Sequence, residues 1–329
     1  MKAFTYERAS DTRSAIRAAS REGAKYISGG TNLLDLMKLE IEHPTHLVDI
    51  SRLPLKHIEE TASGGLRIEA QVSNSALSAD ERVRSLYPVL SQALVAGASG
   101  QLRNKASVGG NLVQRNRCPY FYYDGPDGCN KREPGSGCSA IKGFNRSHAI
   151  LGGSDSCIAT NPSDMAVALA ALDAEVELLS SDQATRLVPI SDFYKPPGDT
   201  PHIETVLERG EMITAVVLPP APPGHQRYRK VRDRASYAFA LVSVAVVVAN
   251  DRRAITSARV AFGGIATKPW RSLHAETALI DKPPTMETFR FAAEKALEGA
   301  VGRGHNDFKI ELAKRTLCDT LARAVEHEY

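Results

Sequence analysis

Four of the chain's five cysteines, Cys118, Cys129, Cys138 and Cys157, fall within 40 residues. Ten of those 40 are Gly or Pro, about twice the usual share, so the stretch reads as a loop rather than a helix or strand. Thiols gathered on a loop of a cysteine-poor chain suggest a metal centre. The spacing, Cys-x10-Cys-x8-Cys-x18-Cys, is not the short Cys-x2-Cys of zinc fingers or bacterial ferredoxins. Four thiolates can close a zinc site or hold a [4Fe–4S] or [2Fe–2S] cluster. Three features favour iron and sulfide. Pro119 follows Cys118, the glycines leave backbone N–H groups for the sulfurs, and Arg115, Arg117, Lys131 and Arg132 stand near enough to offset negative charge. Zinc, two disulfides and four unrelated core thiols stay open as alternatives. Cys318, beside Leu317 and Leu321, reads as a packing cysteine.

Two glycine pairs carry a second chemistry. Tyr26-Ile27-Ser28-Gly29-Gly30-Thr31-Asn32-Leu33-Leu34 runs from a short strand through a tight turn into a helix. Such a turn lets backbone approach a phosphate, with N–H groups directed at it. An ordinary turn with a helix cap is the competing reading. Ser107-Val108-Gly109-Gly110-Asn111 would cradle the same diphosphate from the opposite side. Neither is the Gly-x-Gly-x-x-Gly fingerprint or a P-loop. Asp164 suits either a helix start or a ribose or ribityl hydroxyl. Lys230 reads as a surface strand lysine or as a cation at the pyrimidine edge of a flavin. No Gly-x-Ser-x-Gly or His-Glu-x-x-His is present, and the histidines show no ligand spacing.

These residues need scaffolding. The pattern predicts a helix at 11–22, a strand at Lys25–Ile27, a helix through Leu33, Leu34 and Met37, and an extended segment at Leu47–Ile50. A strand at Gly65–Val72 and a helix at about 86–97 precede the second glycine pair. A helix starts at Pro162, with Asp164 in its first turn, and strand-like stretches lie at Glu175–Leu179 and Glu211–Leu218. Pro219-Pro220 and Pro222-Pro223 read as a domain linker. Beyond it strands are predicted at 227–232, 238–249 and 255–265, then helices, the last at about 308–326.

The chain has 329 residues, enough for two or three domains. Its net charge of +3 is too small to argue for nucleic acid or an anionic membrane. The longest apolar run, Phe239–Ala249, is far short of the ~20 residues of a membrane helix and reads as a buried strand. The residues from Met1 to Arg8 show no apolar core or cleavage site, so no signal peptide is expected.

Together the motifs resemble the FAD-binding medium subunits of the xanthine dehydrogenase family of molybdenum hydroxylases. The first glycine segment looks like that family's pyrophosphate motif. Arg103-Asn-Lys-Ala-Ser-Val-Gly-Gly-Asn-Leu112 looks like its second FAD motif, and Pro162-Ser-Asp164 like its Ser-Asp motif. The cysteine segment and Tyr228-Arg-Lys-Val-Arg-Asp-Arg-Ala-Ser-Tyr237 are similar to a bacterial, aldehyde-oxidising branch whose FAD subunit carries an extra [4Fe–4S] cluster.

The resemblance implies an α+β fold. A vanillyl-alcohol-oxidase-type FAD-binding domain spans 1–222, in subdomains of about 1–54 and 55–222, with an iron–sulfur loop at about 115–160. A C-terminal α/β domain of the CO dehydrogenase flavoprotein type spans 223–329. It implies Cys118, Cys129, Cys138 and Cys157 as cluster ligands. It places Ser107, Gly109, Gly110 and Asn111 on the pyrophosphate side of FAD, Thr160 and Asp164 nearer the ribityl chain, and Ile213 and Lys230 near the flavin. No residue of this chain is expected to act as general base or nucleophile. The implied enzyme is a heterotrimer. A large subunit with the molybdopterin cofactor oxidises aldehydes to carboxylic acids, and a small subunit holds two [2Fe–2S] clusters. This chain passes electrons to an external acceptor. The assembly is expected in the periplasm, exported through a partner's signal, with the cytoplasm as the alternative. A flavin subunit of the 4-hydroxybenzoyl-CoA reductase kind, a self-sufficient FAD oxidoreductase and a zinc-stapled binding module are the other readings.

Overall fold

A computed structural model describes residues 1–123, 125, 127–251 and 253–326. Residues 124 and 126 of the cysteine loop and 327–329 of the expected C-terminal domain lie outside the described residues.

Three sheets organise the chain. In the first, β1 (Thr5–Arg8), β2 (Ala24–Ile27) and β3 (His46–Asp49) run parallel in the order β1-β3-β2. Parallel strands need crossovers. These are α1 (Thr12–Ala19), whose start is capped by Asp11, and α2 (Leu33–Lys38). Ile16 and Ala15 of α1 pack on Val48. Met212, from a strand of the next sheet, closes this small core and ties the two units together.

The second sheet is antiparallel in the order β4-β5-β8-β6-β7. Its strands are β4 (Ile58–Glu60), β5 (Leu66–Glu69), β6 (Glu175–Leu179), β7 (Thr185–Pro189) and β8 (Met212–Leu218). Between β5 and β6 the chain lays down α3 (Asn74–Ala79), α4 (Glu81–Leu86), α5 (Pro88–Ala96), α6 (Gly100–Lys105), α7 (Val108–Leu112), α8 (Pro119–Tyr122) and α9 (Asp164–Ala171). α10 (Ile190–Phe193) follows β7. Every residue of α9 is buried. Its sequence is apolar on all sides after Asp164, as a helix surrounded by core must be.

The third sheet is also antiparallel, in the order β12-β11-β10-β9. It comprises β9 (His225–Val231), β10 (Val242–Asn250), β11 (Ile255–Gly263) and β12 (Trp270–Arg271), followed by α11 (Leu273–Leu279), α12 (Met286–Ala296) and α13 (Phe308–Val325). Cys318 is 7% exposed in this core, as a packing cysteine. Gln226 Nε2 donates to the Leu86 carbonyl and the Tyr228 N–H to Gln92 Oε1, so β9 lies along α5.

Two expectations shift. The apolar run from Phe239 does not begin a strand: β10 starts at Val242, and Phe239 is half exposed. The cysteine stretch is mostly loop but contains α8 and a single 3-10 turn at Ser139–Ile141. Among the described residues no helix is long and apolar enough to cross a membrane.

Candidate functional site

A cavity of about 980 Å³ opens where the three units meet, at the top of the ~300–1,000 Å³ range of small-molecule sites. Tyr26, Ile27, Ser28, Gly29, Gly30, Thr31, Asn32 and Leu33 form one wall, and Ser107, Gly110 and Asn111 another. The two glycine segments touch. A Cβ at Gly29 would stand 1.9 Å from the Lys105 carbonyl oxygen, just ahead of α7. Gly30 adopts φ +71°, the left-handed region that favours glycine. Ser107 caps α7 by accepting from the Gly110 N–H. Asn32 Nδ2 and Asn74 Oδ1 are buried without a partner on residues that line the cavity. Unpaired buried polar atoms are costly, and a polar ligand would satisfy them.

At the far wall Asp164 accepts from Lys230 Nζ at 2.7 Å and from the Tyr228 hydroxyl. The Asp164 and Lys230 side chains are 9% and 4% exposed. Burial and the Asp164 carboxylate hold the Tyr228 phenol well above its ordinary pKa, so it stays a donor. Lys230 also donates to the Ala96 carbonyl. Its charge is therefore already matched, and it meets a ligand as half of an ion pair rather than as a free cation.

Some expected contacts lie off this wall. Gly109 is buried against Ala70 and Ile213, and Ile213 is 8% exposed beneath it in β8. Leu34 packs against Gly30. Thr160 borders two small neighbouring cavities instead. Conversely, Arg103, Gln114, Arg117, Tyr237 and Phe239 line the large cavity without having been read from sequence as FAD contacts. Phe239 was hidden inside an apparently continuous strand pattern. Arg103 lay inside the second FAD-like motif; it donates to the Val95 and Gly97 carbonyls and fixes the α5–α6 corner.

The four loop cysteines are unpaired thiols. Cys129 and Cys138 face each other as an antiparallel bridge. The neighbouring Cys157 thiol holds the Cys138 thiol below its ordinary range, while Cys138 and burial push Cys157 up. Burial pushes Cys118 up to about 12, and charge on Cys129 or Cys138 would raise it further. Bound metal reverses that cost. The Ala159 N–H donates to Cys157 Sγ at 3.4 Å, while the Phe121 and Ile141 N–H groups donate to the Cys118 and Cys138 carbonyls. Four free thiols on one loop match the ligand number of an iron–sulfur cluster or of a zinc site.

Among the described residues no three His, Cys, Asp or Glu side chains converge as ligands of one metal ion would. Asn130 organises the loop. Its Oδ1 accepts from the Gly135 and Gly137 N–H groups and its Nδ2 donates to the Ser156 carbonyl.

Among the described residues, two of the four nearby cations are engaged by carboxylates. Arg115 pairs with Glu42 and Glu204, and Lys131 with Glu204 at 2.6 Å, although Lys131 still favours charge on Cys157. The Arg117 guanidinium stacks over Phe239 at 4.9 Å and donates to the Tyr122 hydroxyl. It borders both the large cavity and a smaller chamber beside Cys118.

Comparison with known proteins agrees with this geometry. A family described as the FAD binding domain in molybdopterin dehydrogenase matches residues 2–221. One described as the CO dehydrogenase flavoprotein C-terminal domain matches residues 226–324. The aldehyde oxidoreductase FAD-binding subunit PaoB of Escherichia coli is 57% identical over 325 residues, 98% of this chain and 99% of that protein. The glyceraldehyde dehydrogenase medium chain of Sulfolobus acidocaldarius is 25% identical over 85% of this chain and 82% of that one. A chain of quinoline 2-oxidoreductase from Pseudomonas putida superposes with a TM-score of 0.76 at 25% identity, covering 99% of both chains. The chain belongs to the family of FAD-binding subunits of the molybdopterin dehydrogenases.

Proposed function

We propose that this chain is the FAD- and [4Fe–4S]-carrying electron-transfer subunit of a molybdenum-dependent aldehyde oxidoreductase. The observation that carries the proposal is the 57% identity to an aldehyde oxidoreductase FAD-binding subunit along 98% of the chain. The four-thiol loop beside the cavity supports the cluster. That aldehyde-oxidising relative favours this reading over the 4-hydroxybenzoyl-CoA reductase kind.

In this reading FAD supplies the conversion between single electrons and pairs. The chain's residues bind and orient it. The backbone around Gly29 and Gly30 and the capped start of α7 receive the diphosphate. Asp164, paired with Lys230, accepts from ribityl hydroxyls. Arg117 and Phe239 wall the cavity on the cysteine side. Cys118, Cys129, Cys138 and Cys157 would hold the cluster, and the Ala159 N–H at Cys157 would offset part of its negative charge.

A small subunit with two [2Fe–2S] clusters and a large subunit with the molybdopterin cofactor complete the enzyme, so substrate oxidation lies on a partner. Export to the periplasm follows a partner's signal; fractionating cells with and without that signal tests it.

Cofactor analysis of the purified chain tests the core of the proposal. Flavin, with iron and acid-labile sulfide in equal amounts, is expected. Cys129→Ser is expected to lose most of the iron while keeping flavin. Zinc without visible absorption, or full iron in the variant, contradicts the ligand assignment.

A further inference from the structure

We propose that His148 is a positioning residue for the cysteine centre, donating its Nε2–H to Cys118 Sγ and thereby raising the centre's reduction potential. The inference rests on the reading of the four cysteines as cluster ligands. His148 Nε2 stands 3.0 Å from Cys118 Sγ. A cluster-bound thiolate carries no proton, so it can only accept, and the shared hydrogen must belong to the imidazole. Neutral imidazole protonated at Nε2 has a bare Nδ1. His148 Nδ1 is buried with no partner, so no acceptor there holds the proton on Nδ1 instead.

The imidazole is built in, not merely nearby. His148 is 2% exposed. Its N–H donates to the Asn145 carbonyl at 2.9 Å. Its carbonyl accepts from Lys309 Nζ at 3.0 Å and Asn306 Nδ2 at 3.4 Å, and both of those side chains are fully buried. Lys309 also donates to the Gly264 carbonyl at 2.7 Å. The C-terminal unit thus clamps the backbone of a residue whose ring reaches the sulfur of Cys118. On the other side lies a chamber of about 120 Å³, lined by Cys118, His148, Ser243 and Asp164 among others. An N–H···S bond is worth most to the more negative, reduced centre, so it raises the potential.

The test uses the full chain loaded with flavin and iron. The readouts are iron and sulfide content and the midpoint potential of the centre, followed by electron paramagnetic resonance. His148→Ala is expected to keep its iron and shift the potential downward. His148→Gln, whose amide can restore a donor, is expected to bring it back toward the parent value. An alanine variant with intact iron and an unshifted potential overturns the inference and leaves the cluster reading standing. If the alanine variant loses its iron, the glutamine variant decides. Iron retained at near the parent potential supports the inference, and a displaced potential or lost iron overturns it. A parent chain with no iron removes the cluster reading and this inference with it.

Discussion

Asp164 and Lys230 form a buried ion pair, 9% and 4% exposed, that borders the large cavity. Removing one partner from such a pair leaves an uncompensated charge and costs about 3–5 kcal/mol. Asp164→Asn is therefore expected to lower the thermal midpoint sharply and to weaken flavin retention, both followed by flavin fluorescence on heating. Gly29 works by a different physics. Its missing Cβ admits the Lys105 carbonyl, and Gly29→Ala would force apart the two glycine segments. Overpacking of that kind costs about 1–3 kcal/mol, and flavin binding is expected to fall with it; equilibrium dialysis against FAD measures this. The glycine pairs were legible in the sequence because the constraint on them is local. Asp164 and Lys230 were named singly, but their pairing with each other and with Tyr228 was not legible, since no spacing relates residue 164 to residues on a strand more than sixty positions later.

The cysteine loop is an element held by side chain-to-backbone bonds rather than by a ladder. Asn130 supplies three of them, to Gly135, Gly137 and Ser156. Each is worth about 0.5–1.5 kcal/mol. Asn130→Ala is expected to open the loop to proteolysis between 129 and 138 and to reduce iron content, while α13 and the C-terminal core keep their stability. Unchanged cleavage kinetics would contradict that role. Composition alone showed that this stretch is a loop. Its pairing of Cys129 with Cys138 comes from the left-handed backbone at Gly135 and Gly137, which spacing does not reveal. The reading of Phe239–Ala249 as one strand failed for a related reason. Tyr237 turns the chain with φ +53°, and Phe239 stands at the cavity before pairing begins at Val242. Apolar character there belongs to a ligand wall, which a period-based reading cannot separate from core.

Across the whole molecule, three cores surround one cavity, and none of the three units builds that cavity alone. The first unit contributes the turn at Gly29, the second α7 and Asp164, and the third Lys230, Tyr237 and Phe239. A chain ending at residue 221 would uncover the face of α5 that β9 covers and lose Lys230 from its pair with Asp164. Such a chain is expected to be poorly soluble and to retain no flavin. The most direct measurement is anaerobic addition of an aldehyde, followed through the flavin absorbance, to the purified chain alone and to the complex with its two partner subunits. The flavin is expected to bleach in the complex and to stay oxidised in the isolated chain. Bleaching in the isolated chain, or none in a complex loaded with all its cofactors, would contradict the role of electron-transfer subunit.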